Sequence, residues 1–337
     1  MIRKAIQAVI EGHNLSEKEM ILVMRIIMEG AATDAQIAAF LTAMRMKGET
    51  IEEITGAVRV MREKVTAIKS PPNTVDTCGT GGDMSHTFNI STASALVVAA
   101  CGVPVAKHGN RSVSSSCGSA DVLEALGMKI DLEPLKVELC LESTGFGFMF
   151  APLFHPAMKY AIGPRKEMGV RTIFNILGPL TNPAGAERQV LGVFSNELTE
   201  PLANVLANLD VKHAFIVHGE DGLDEITNTD RSKVSELKDG KVNTYFISPD
   251  DFGLNKAEKS DLKGGDAEDN AKMIIEILDG QKGPKRDIVI MNAAAALITG
   301  EKAKSFTEAS GIASEAIDSG VARKKLEEIK KFSNSIS

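Results

Sequence analysis

The sequence predicts an α/β protein in which a small N-terminal helical-bundle domain precedes a larger α/β domain with a mainly parallel central sheet. Three observations support this fold. The chain has 337 residues, which is enough for about two domains. Residues 1–70 carry helix signals alone, whereas short apolar strands alternate with helical segments from Val75 onward.

Three helices of the N-terminal region start at capping boxes, in which Ser or Thr stands three residues before Glu or Gln. The boxes are Ser16–Glu19, Thr33–Gln36 and Thr50–Glu53. Apolar residues at helical spacing follow each box, so each helix can bury one face. Pro71 and Pro72 end the helical region, because proline disfavours helix at its own and the preceding position.

The rest of the chain alternates strands with helices. The predicted strands are short apolar runs, namely Val75–Cys78, Val103–Lys107, Phe146–Phe150, Gln189–Phe194 and Ala214–His218. The predicted helices are an apolar one that is capped by Ser91 or Thr92 and ends at Gly102, then Asp121–Leu126, Leu198–Leu209 and a helical region from about Asp287. Lys241–Ser248 is predicted to add an antiparallel strand. This alternation is typical of a parallel sheet wrapped by helices.

Composition narrows the classes of function. Lys and Arg number 38 and Asp and Glu number 45, so the net charge of −7 argues against a protein that binds nucleic acid through its backbone. The four cysteines form no C-x-x-C pair, which argues against a structural zinc site. No secretory signal and no bilayer-spanning apolar run are recognised, so we expect a cytoplasmic protein with free thiols and no membrane partner.

A glycine-rich segment, Asp76-Thr-Cys-Gly-Thr-Gly-Gly-Asp83, follows the first predicted strand. Its backbone N–H groups can surround an oxyanion, and the helix that starts near Asn89-Ile-Ser-Thr92 adds hydroxyls and a partial positive charge. The segment matches neither the P-loop nor the dinucleotide-binding fingerprint. A tight turn without a ligand is the alternative for the glycines alone, and the Asn89–Thr92 cluster favours a phosphate site.

The second polar segment, Lys107-His-Gly-Asn-Arg-Ser-Val-Ser-Ser-Ser116, follows the second predicted strand. Open α/β sheets bind ligands at the carboxyl ends of their strands. Lys107 and Arg111 can engage pyrophosphate oxygens, and the hydroxyls add donors. The alternative is a serine-rich surface loop, which seldom concentrates so many donors after an apolar strand.

Two further segments carry charged candidates. The acidic stretch Glu220–Glu225 contains Asp224 and Glu225, whose carboxylates could hold Mg²⁺ beside a phosphate ligand. Taken alone, such a pair is more often part of a solvated loop or a helix start. Arg165 could bind a carboxylate with two hydrogen bonds, and an exposed helix arginine is the alternative. For His155, a packing role alone is sufficient to explain its presence.

Taken together, these segments resemble the anthranilate phosphoribosyltransferase family in both order and spacing. The resemblance rests on Asp76–Asp83, Phe88–Thr92, Lys107–Ser115, Arg171–Pro183 and Gly219–Glu225. It spans nearly the whole chain, and Val234–Glu268 is its least distinctive part. Members of the family join anthranilate to 5-phosphoribosyl diphosphate (PRPP), giving N-(5-phosphoribosyl)anthranilate and pyrophosphate in tryptophan biosynthesis.

The resemblance implies a set of site residues. Those implied to bind PRPP are Gly79, Gly82, Asp83, Thr87, Asn89, Ile90, Ser91, Thr92, Lys107, His108, Gly109, Asn110, Arg111, Ser112, Val113, Ser114, Ser115 and Ser119. Those implied to contact anthranilate or its path are Gly79, His108, Asn110, Arg165 and Gly178. Ser91, Asp224 and Glu225 are implied to bind magnesium, with two ions per subunit. Lys107, Asn110 and Arg111 are expected to carry the catalysis.

The resemblance also implies a fold like that of the nucleoside phosphorylases and related phosphoribosyltransferases. Residues 1–72 would form the helical domain, with residues 153–186 returning to it. Residues 73–152 and 187–337 would form the α/β domain that binds PRPP. A homodimer would form through the helical domain.

The chemistry agrees with these expectations. Cleavage of the anomeric bond of PRPP puts negative charge on pyrophosphate, where cations and backbone donors can stabilise it. The arylamine of anthranilate is unprotonated at neutral pH, so no strong general base is required. A pyrimidine nucleoside phosphorylase is the nearest alternative, and the Asp224–Glu225 pair and Asn175–Pro183 favour the transferase. A nucleic-acid-binding relative is a second alternative, which the net charge of −7 disfavours.

Overall fold

The computed structural model describes residues 1–112 and 117–336, so the expected PRPP-binding residues Val113, Ser114 and Ser115 lie outside the described residues. The α-helices are α1 Ile2–Ile10, α2 Glu17–Met28, α3 Asp34–Lys47, α4 Ile51–Lys64, α5 Ile90–Ala100, α6 Ser119–Ala125, α7 Pro134–Thr144, α8 Ala151–Phe154, α9 Lys159–Met168, α10 Phe174–Leu177, α11 Thr199–Asn208, α12 Ala267–Leu278, α13 Pro284–Thr299, α14 Phe306–Asp318 and α15 Val321–Ser335. The strands are β1 Val75–Gly79, β2 Val105–Gly109, β3 Phe146–Phe150, β4 Arg188–Gly192, β5 His213–Gly219, β6 Ser232–Lys238 and β7 Lys241–Ile247.

The strands form one sheet in the order β3-β2-β1-β4-β5-β6-β7. The first five strands in this order are parallel, and β6 and β7 add antiparallel strands at one edge. The carboxyl ends of β1, β2 and β5 therefore meet along the same edge, which is where open α/β sheets bind ligands. The α/β fold class predicted from the sequence, with its helical N-terminal region, is confirmed.

The N-terminal helices start where the sequence predicts. Both hydrogen bonds of each capping box are present at Ser16, Thr33 and Thr50. Helix α2 packs on α4, α1 packs on α3, and α9 returns to pack on α3.

Two large apolar clusters lie on opposite faces of the sheet. In β5, Phe215 and Val217 belong to the cluster built with α5 and α13, whereas Ala214 and Ile216 belong to the cluster shared with the N-terminal helices. Alternate residues of a strand point to opposite faces, so this fully buried strand contributes to both clusters. The second cluster also contains Leu177 of α10, which ties the returning segment to the N-terminal helices.

Three local predictions were wrong. Helix α5 starts at Ile90 with Asn89 at the N-cap position, which is two to three residues before the predicted caps Ser91 and Thr92. The second strand, predicted at Val103–Lys107, begins and ends two residues later. The antiparallel addition has two strands instead of one, because β6 and β7 form a hairpin around Asp239-Gly240, a pair that favours a two-residue turn. In the described ranges, no helix has both the length and the apolar character needed to cross a membrane.

Candidate active site

Two loops and one helix start meet at the carboxyl edge of the sheet. The backbone N–H of Gly81 donates to Oδ2 of Asp224 at 2.7 Å, and the N–H of Ser91 donates to Oε1 of Glu225 at 3.1 Å. A Cβ atom at Gly79 would collide with the Asp224 carboxylate, so glycine allows the carboxylate to approach this closely. The predicted acidic pair is therefore joined to the glycine-rich segment and to the start of α5.

These carboxylates are half-buried and repel one another. Burial raises the pKa of Asp224, and the nearby charge of Asp83 raises it further. Burial and the charge of Asp224 likewise raise the pKa of Glu225 well above its usual range. A divalent cation would relieve this repulsion.

The donor set fits magnesium. Asp224, Glu225 and the hydroxyl of Ser91 offer the hard oxygen atoms that Mg²⁺ prefers. Within residues 1–112 and 117–336, no group of three or more His, Cys, Asp or Glu side chains is arranged to hold a metal alone. Mg²⁺ typically takes one or two carboxylates and fills the rest of its shell with phosphate oxygens and water.

Lys107 lies behind these ligands, with 1% of its surface exposed. Its Nζ donates to the carbonyl of Thr77 at 2.5 Å and to Oγ of Ser91 at 3.2 Å. Burial lowers the pKa of Lys107, and the charges of Asp76 and Glu225 oppose that shift. The lysine therefore supplies positive charge from beneath the site and orients Ser91.

The loop after β2 presents polar groups near the same edge. Arg111 is exposed and pairs with Asp121 at 2.9 Å and with Glu124 at 2.8 Å. The carboxylate of Asp121 also accepts hydrogen bonds from the N–H groups of Ser112 and Gly118, which closes the described ends of the loop on each other. Arg111 therefore lies against two carboxylates of α6.

The remaining predicted residues of this loop lie nearby. Asn110 is exposed, and its Oδ1 accepts from the N–H of Arg111 at 2.8 Å. The hydroxyl of Ser119 donates to the carbonyl of Asn110 at 3.4 Å. Gly109, the last residue of β2, is half-buried directly above Ser119.

His108 points into the boundary between the sheet and the returning segment. Its Nε2 lies 3.1 Å from Nε2 of His155, and its imidazole also hydrogen-bonds the carbonyl of Gly178. Burial lowers the pKa of His108 to about 3 and that of His155 to about 4. Both imidazoles are therefore neutral at pH 7, and the structure brings His108 and Gly178 together.

Arg165 lies on α9 and is half-buried. Its guanidinium stands over the ring of Phe174, 5.0 Å from the centroid, and burial lowers its pKa. No carboxylate partner of Arg165 occurs among the described residues. A half-buried guanidinium of this kind can bind a carboxylate ligand with two hydrogen bonds.

The other predicted PRPP residues line the glycine-rich side. Asp83 accepts from the N–H of Ser85, and Thr87 forms an isolated antiparallel bridge with Lys263. Ile90 and Thr92 are buried in the first turn of α5, and the Thr92 hydroxyl has no partner in the described structure.

Sequence reasoning missed three residues that touch the predicted site. His155 was interpreted as packing, yet it pairs with His108. Arg171 reaches from the returning segment to the carbonyl of Gly82 and lies over the ring of Phe194. Asn270 donates to the side chain of Asn89. His155 and Arg171 stand in polar segments the sequence already singled out, whereas no local signal marks Asn270.

Comparison with known proteins places these residues in a family. The family model described as the glycosyl transferase family, a/b domain, matches residues 71–323, and the model described as its helical bundle domain matches residues 3–65. The anthranilate phosphoribosyltransferase of Acetivibrio thermocellus is 59% identical over 338 residues, with 99% of this chain and 97% of that protein covered. The enzyme of the same name from Alkaliphilus metalliredigens is 56% identical, with 100% and 99% covered.

Solved structures agree with the sequence comparison. The crystal structure of anthranilate phosphoribosyltransferase from Thermus thermophilus superposes with a TM-score of 0.93 at 43% identity, with 98% of this chain and 99% of that chain covered. The Saccharomyces cerevisiae enzyme, solved in complex with PRPP and Mg, gives a TM-score of 0.89 at 28% identity, with 99% and 98% covered. The chain therefore belongs to the anthranilate phosphoribosyltransferase family.

Proposed function

We propose that this chain transfers the phosphoribosyl group of PRPP to the amino group of anthranilate. One observation carries the proposal. Asp224 and Glu225 accept hydrogen bonds from the backbone of the glycine-rich segment and of the α5 start, and this proximity supports a cation site next to a phosphate site. Membership of the family supplies the substrates.

In this reaction the nitrogen of anthranilate forms a bond to C1 of the ribose, while the bond from C1 to the pyrophosphate oxygen breaks. The pyrophosphate leaves with the electron pair, and the nitrogen loses one proton. Magnesium, when bound, supplies positive charge to the departing pyrophosphate. Asp224, Glu225 and Ser91 would hold it, with two ions per subunit. Lys107 orients Ser91 and keeps positive charge behind Glu225.

The residues that would hold PRPP form the rim of the same edge. The glycine-rich segment, the first turn of α5 and the loop after β2 present backbone and side-chain donors to the phosphates. Arg111 would turn from Asp121 and Glu124 towards pyrophosphate, and Asn110 would lie between the two substrates.

Anthranilate would bind between the sheet edge and the returning segment. Arg165 would hold its carboxylate, because the half-buried guanidinium has no carboxylate partner in the described ranges. His108 and Gly178 would line its path. Both histidines of the pair stay neutral at pH 7, so they present an uncharged wall to the aromatic ring.

The domain division and the assembly also belong to this proposal. Residues 1–72 and 153–186 would form the helical domain, an idea supported by the packing of α9 on α3 and by the apolar cluster that both segments share. Exposed apolar side chains on these segments favour a homodimer through the helical domain, namely Ile10, Leu22, Met46 and Ile162. Light scattering of the purified protein tests it, and a monomeric mass would contradict it.

A cytoplasmic location completes the proposal. The four cysteines, Cys78, Cys101, Cys117 and Cys140, carry free thiols, which suits a reducing compartment.

The decisive experiment follows the fluorescence of anthranilate with the purified protein. We expect it to fall when PRPP and Mg²⁺ are both present and to stay constant when either is omitted. Absence of turnover with the product removed as it forms would contradict the proposal. Phosphorolysis of thymidine or uridine without use of anthranilate would instead assign a nucleoside phosphorylase.

A further inference from the structure

Residues 262–270, in and just after the part of the chain with the least distinctive sequence, contact the glycine-rich side of the site. The N–H of Phe88 donates to the carbonyl of Leu262 at 3.4 Å, and the N–H of Gly264 donates to the carbonyl of His86 at 2.9 Å. Between these bonds, Thr87 and Lys263 form an antiparallel bridge. Residues 262–264 therefore pair with residues 86–88 as a short two-stranded ribbon.

This ribbon leaves no room between the two backbones at Gly264. A Cβ atom there would lie 2.6 Å from the backbone nitrogen of Phe88 and 2.7 Å from the carbonyl carbon of Thr87. Real Cβ atoms are essentially never found at such distances from backbone, so the ribbon requires glycine at this position. The close approach brings the following residues, Gly265 to Asn270, directly behind the start of α5.

Asn270 then connects to the two loops implied to hold PRPP. It lies on α12 with 1% of its surface exposed, and its Nδ2 donates to Oδ1 of Asn89 at 3.0 Å. Its Oδ1 accepts from the N–H of Gly265 at 2.8 Å, which fixes the orientation of its own amide. The Asn270 side chain also hydrogen-bonds the thiol of Cys117, the first described residue after the loop that follows β2.

The orientation of Asn270 dictates the orientation of Asn89. Because Asn270 donates to Oδ1 of Asn89, the Nδ2 group of Asn89 turns to the other side, where it donates to the carbonyl of Cys117 at 3.2 Å. A chain of hydrogen bonds thus runs from Gly265 through Asn270 and Asn89 to Cys117. It joins the start of α5 to the far end of the loop after β2.

We propose that Asn270 is a positioning residue for PRPP: it fixes the amide of Asn89 and thereby sets the distance between the two phosphate-binding loops. The proposal rests on the proposed function, because PRPP is the ligand that both loops would share. Residues 262–264 hold the ribbon against Thr87 and Phe88, so that the Asn270 amide reaches Asn89.

Two substitutions separate orientation from folding. Asn270→Ala removes all three hydrogen bonds of the amide, to Asn89, Gly265 and Cys117. Asn270→Asp keeps an oxygen that accepts from the N–H of Gly265 but places a second oxygen against Oδ1 of Asn89. The variant therefore keeps the bond to Gly265 and no longer fixes the orientation of the Asn89 amide. Ser94→Ala is the matched control, because Ser94 is buried on the same helix as the phosphate donors but its hydroxyl donates to the carbonyl of Val289, away from Asn89 and Cys117.

We expect both Asn270 variants to raise KM for PRPP by roughly three- to tenfold, the range that loss of a neutral hydrogen bond gives. KM for anthranilate should change by less than about twofold, since the altered contacts lie on the phosphate side. Ser94→Ala should leave both constants within about twofold although it removes a buried hydrogen bond and lowers the melting temperature.

A double-mutant cycle tests whether Asn270 acts through Asn89. PRPP binding in the presence of Mg²⁺ is measured by calorimetry for Asn89→Ala, Asn270→Ala and the double variant. We expect the double variant to bind no more weakly than Asn89→Ala alone. Additive losses, or an unchanged KM for PRPP in Asn270→Asp, would overturn the proposal.

The same measurements distinguish its failure from failure of the proposed function. If the wild-type protein binds PRPP but consumes no anthranilate, the proposed transfer fails and the binding cycle still decides the role of Asn270. If the wild-type protein turns over and the cycle is additive, only the role of Asn270 fails. If the wild-type protein does not bind PRPP, both are overturned.

Discussion

The imidazoles of His108 and His155 meet with 3.1 Å between their Nε2 atoms and an angle of 47° between the rings. Facing nitrogens form a hydrogen bond only if one carries a proton and the other accepts, so at least one of the two rings must be neutral. Both side chains are buried, and burial lowers the pKa of His108 to about 3 and that of His155 to about 4.

This pair predicts a loss of stability in acid. The folded pKa of each histidine lies below its usual value of 6.5, so the unfolded chain binds more protons than the folded one between pH 6.5 and about pH 4. The free energy of unfolding therefore decreases as the pH is lowered through this window, by up to about 1.4 kcal/mol per pH unit for each histidine. Above pH 6.5 the rings are neutral in both states, and the dependence disappears.

The measurement is the difference between the wild type and His155→Gln, which keeps hydrogen bonding without titration. Asp76, whose pKa burial raises to about 6, has the opposite dependence in both proteins and cancels in that difference. We expect denaturant unfolding of the wild type to weaken faster than that of the variant between about pH 6.5 and about pH 4.5. If the free energies of unfolding of the wild type and the variant decrease in parallel as the pH is lowered, the neutral histidine pair is excluded.

The acidic pair predicts opposite effects on stability and activity. Asp224→Asn and Glu225→Gln remove charges that burial and mutual repulsion disfavour. Without Mg²⁺, each variant should melt about 1–3 °C higher than the wild type, while turnover should fall by at least about tenfold because the cation ligand is lost.

Glu220→Gln is the control for this prediction. Glu220 lies in the same loop but is exposed and pairs with Arg231 at 2.7 Å, so its loss should change neither quantity beyond error. Thermal melting with and without Mg²⁺, together with initial rates, gives both numbers. A variant that melts lower than the wild type without metal would contradict the repulsion.

The sequence could predict the site as far as local patterns reach. The glycines at the end of β1, Lys107 and Arg111 at the end of β2, and the Asp224–Glu225 pair after β5 all lie near the carboxyl ends of strands, which parallel strands bring together. Capping boxes marked the starts of α2, α3 and α4, because the signal lies within four adjacent residues. The start of α5 was misplaced because Asn89 occupies the N-cap position without using its side chain there.

What the sequence could not predict depends on contacts between distant segments. Asn270 meets Asn89 across 181 positions, and His155 meets His108 across 47, so neither contact has a local pattern. The sequence predicts that Lys107 engages pyrophosphate, yet its side chain is buried and donates to the carbonyl of Thr77 and the hydroxyl of Ser91. Burial of a charged group is a property of packing, which spacing alone does not reveal.

Arg165 predicts a selective loss of anthranilate binding. Arg165→Met keeps the apolar stem against Phe174 but removes the guanidinium, so KM for anthranilate should rise by at least about tenfold with KM for PRPP nearly unchanged. Lys166→Met is the control, because Lys166 is the exposed neighbour on the same helix. Steady-state kinetics with each substrate varied in turn decides the matter, and an equal rise in both constants would assign Arg165 to packing.

Weakening the ion pair between Arg111 and Glu124 is predicted to give a variant that binds PRPP more tightly. The Arg111 guanidinium pairs with Asp121 and Glu124, and these carboxylates compete with a pyrophosphate for the same N–H donors. Asp121 also holds the N–H groups of Ser112 and Gly118, whereas Glu124 has no such second role in the described structure. Glu124→Gln should therefore weaken the competing pair without opening the loop.

We expect Glu124→Gln to lower KM for PRPP by roughly two- to threefold, in keeping with the small free energy of an exposed ion pair. The effect should shrink as ionic strength rises, because salt screens the pair in the wild type as well. Asp121→Asn should behave differently, raising KM for PRPP because the loop loses its backbone anchor. Initial rates at low and high salt test both variants, and a higher KM for PRPP in Glu124→Gln would mean that the ion pair holds Arg111 in its binding position.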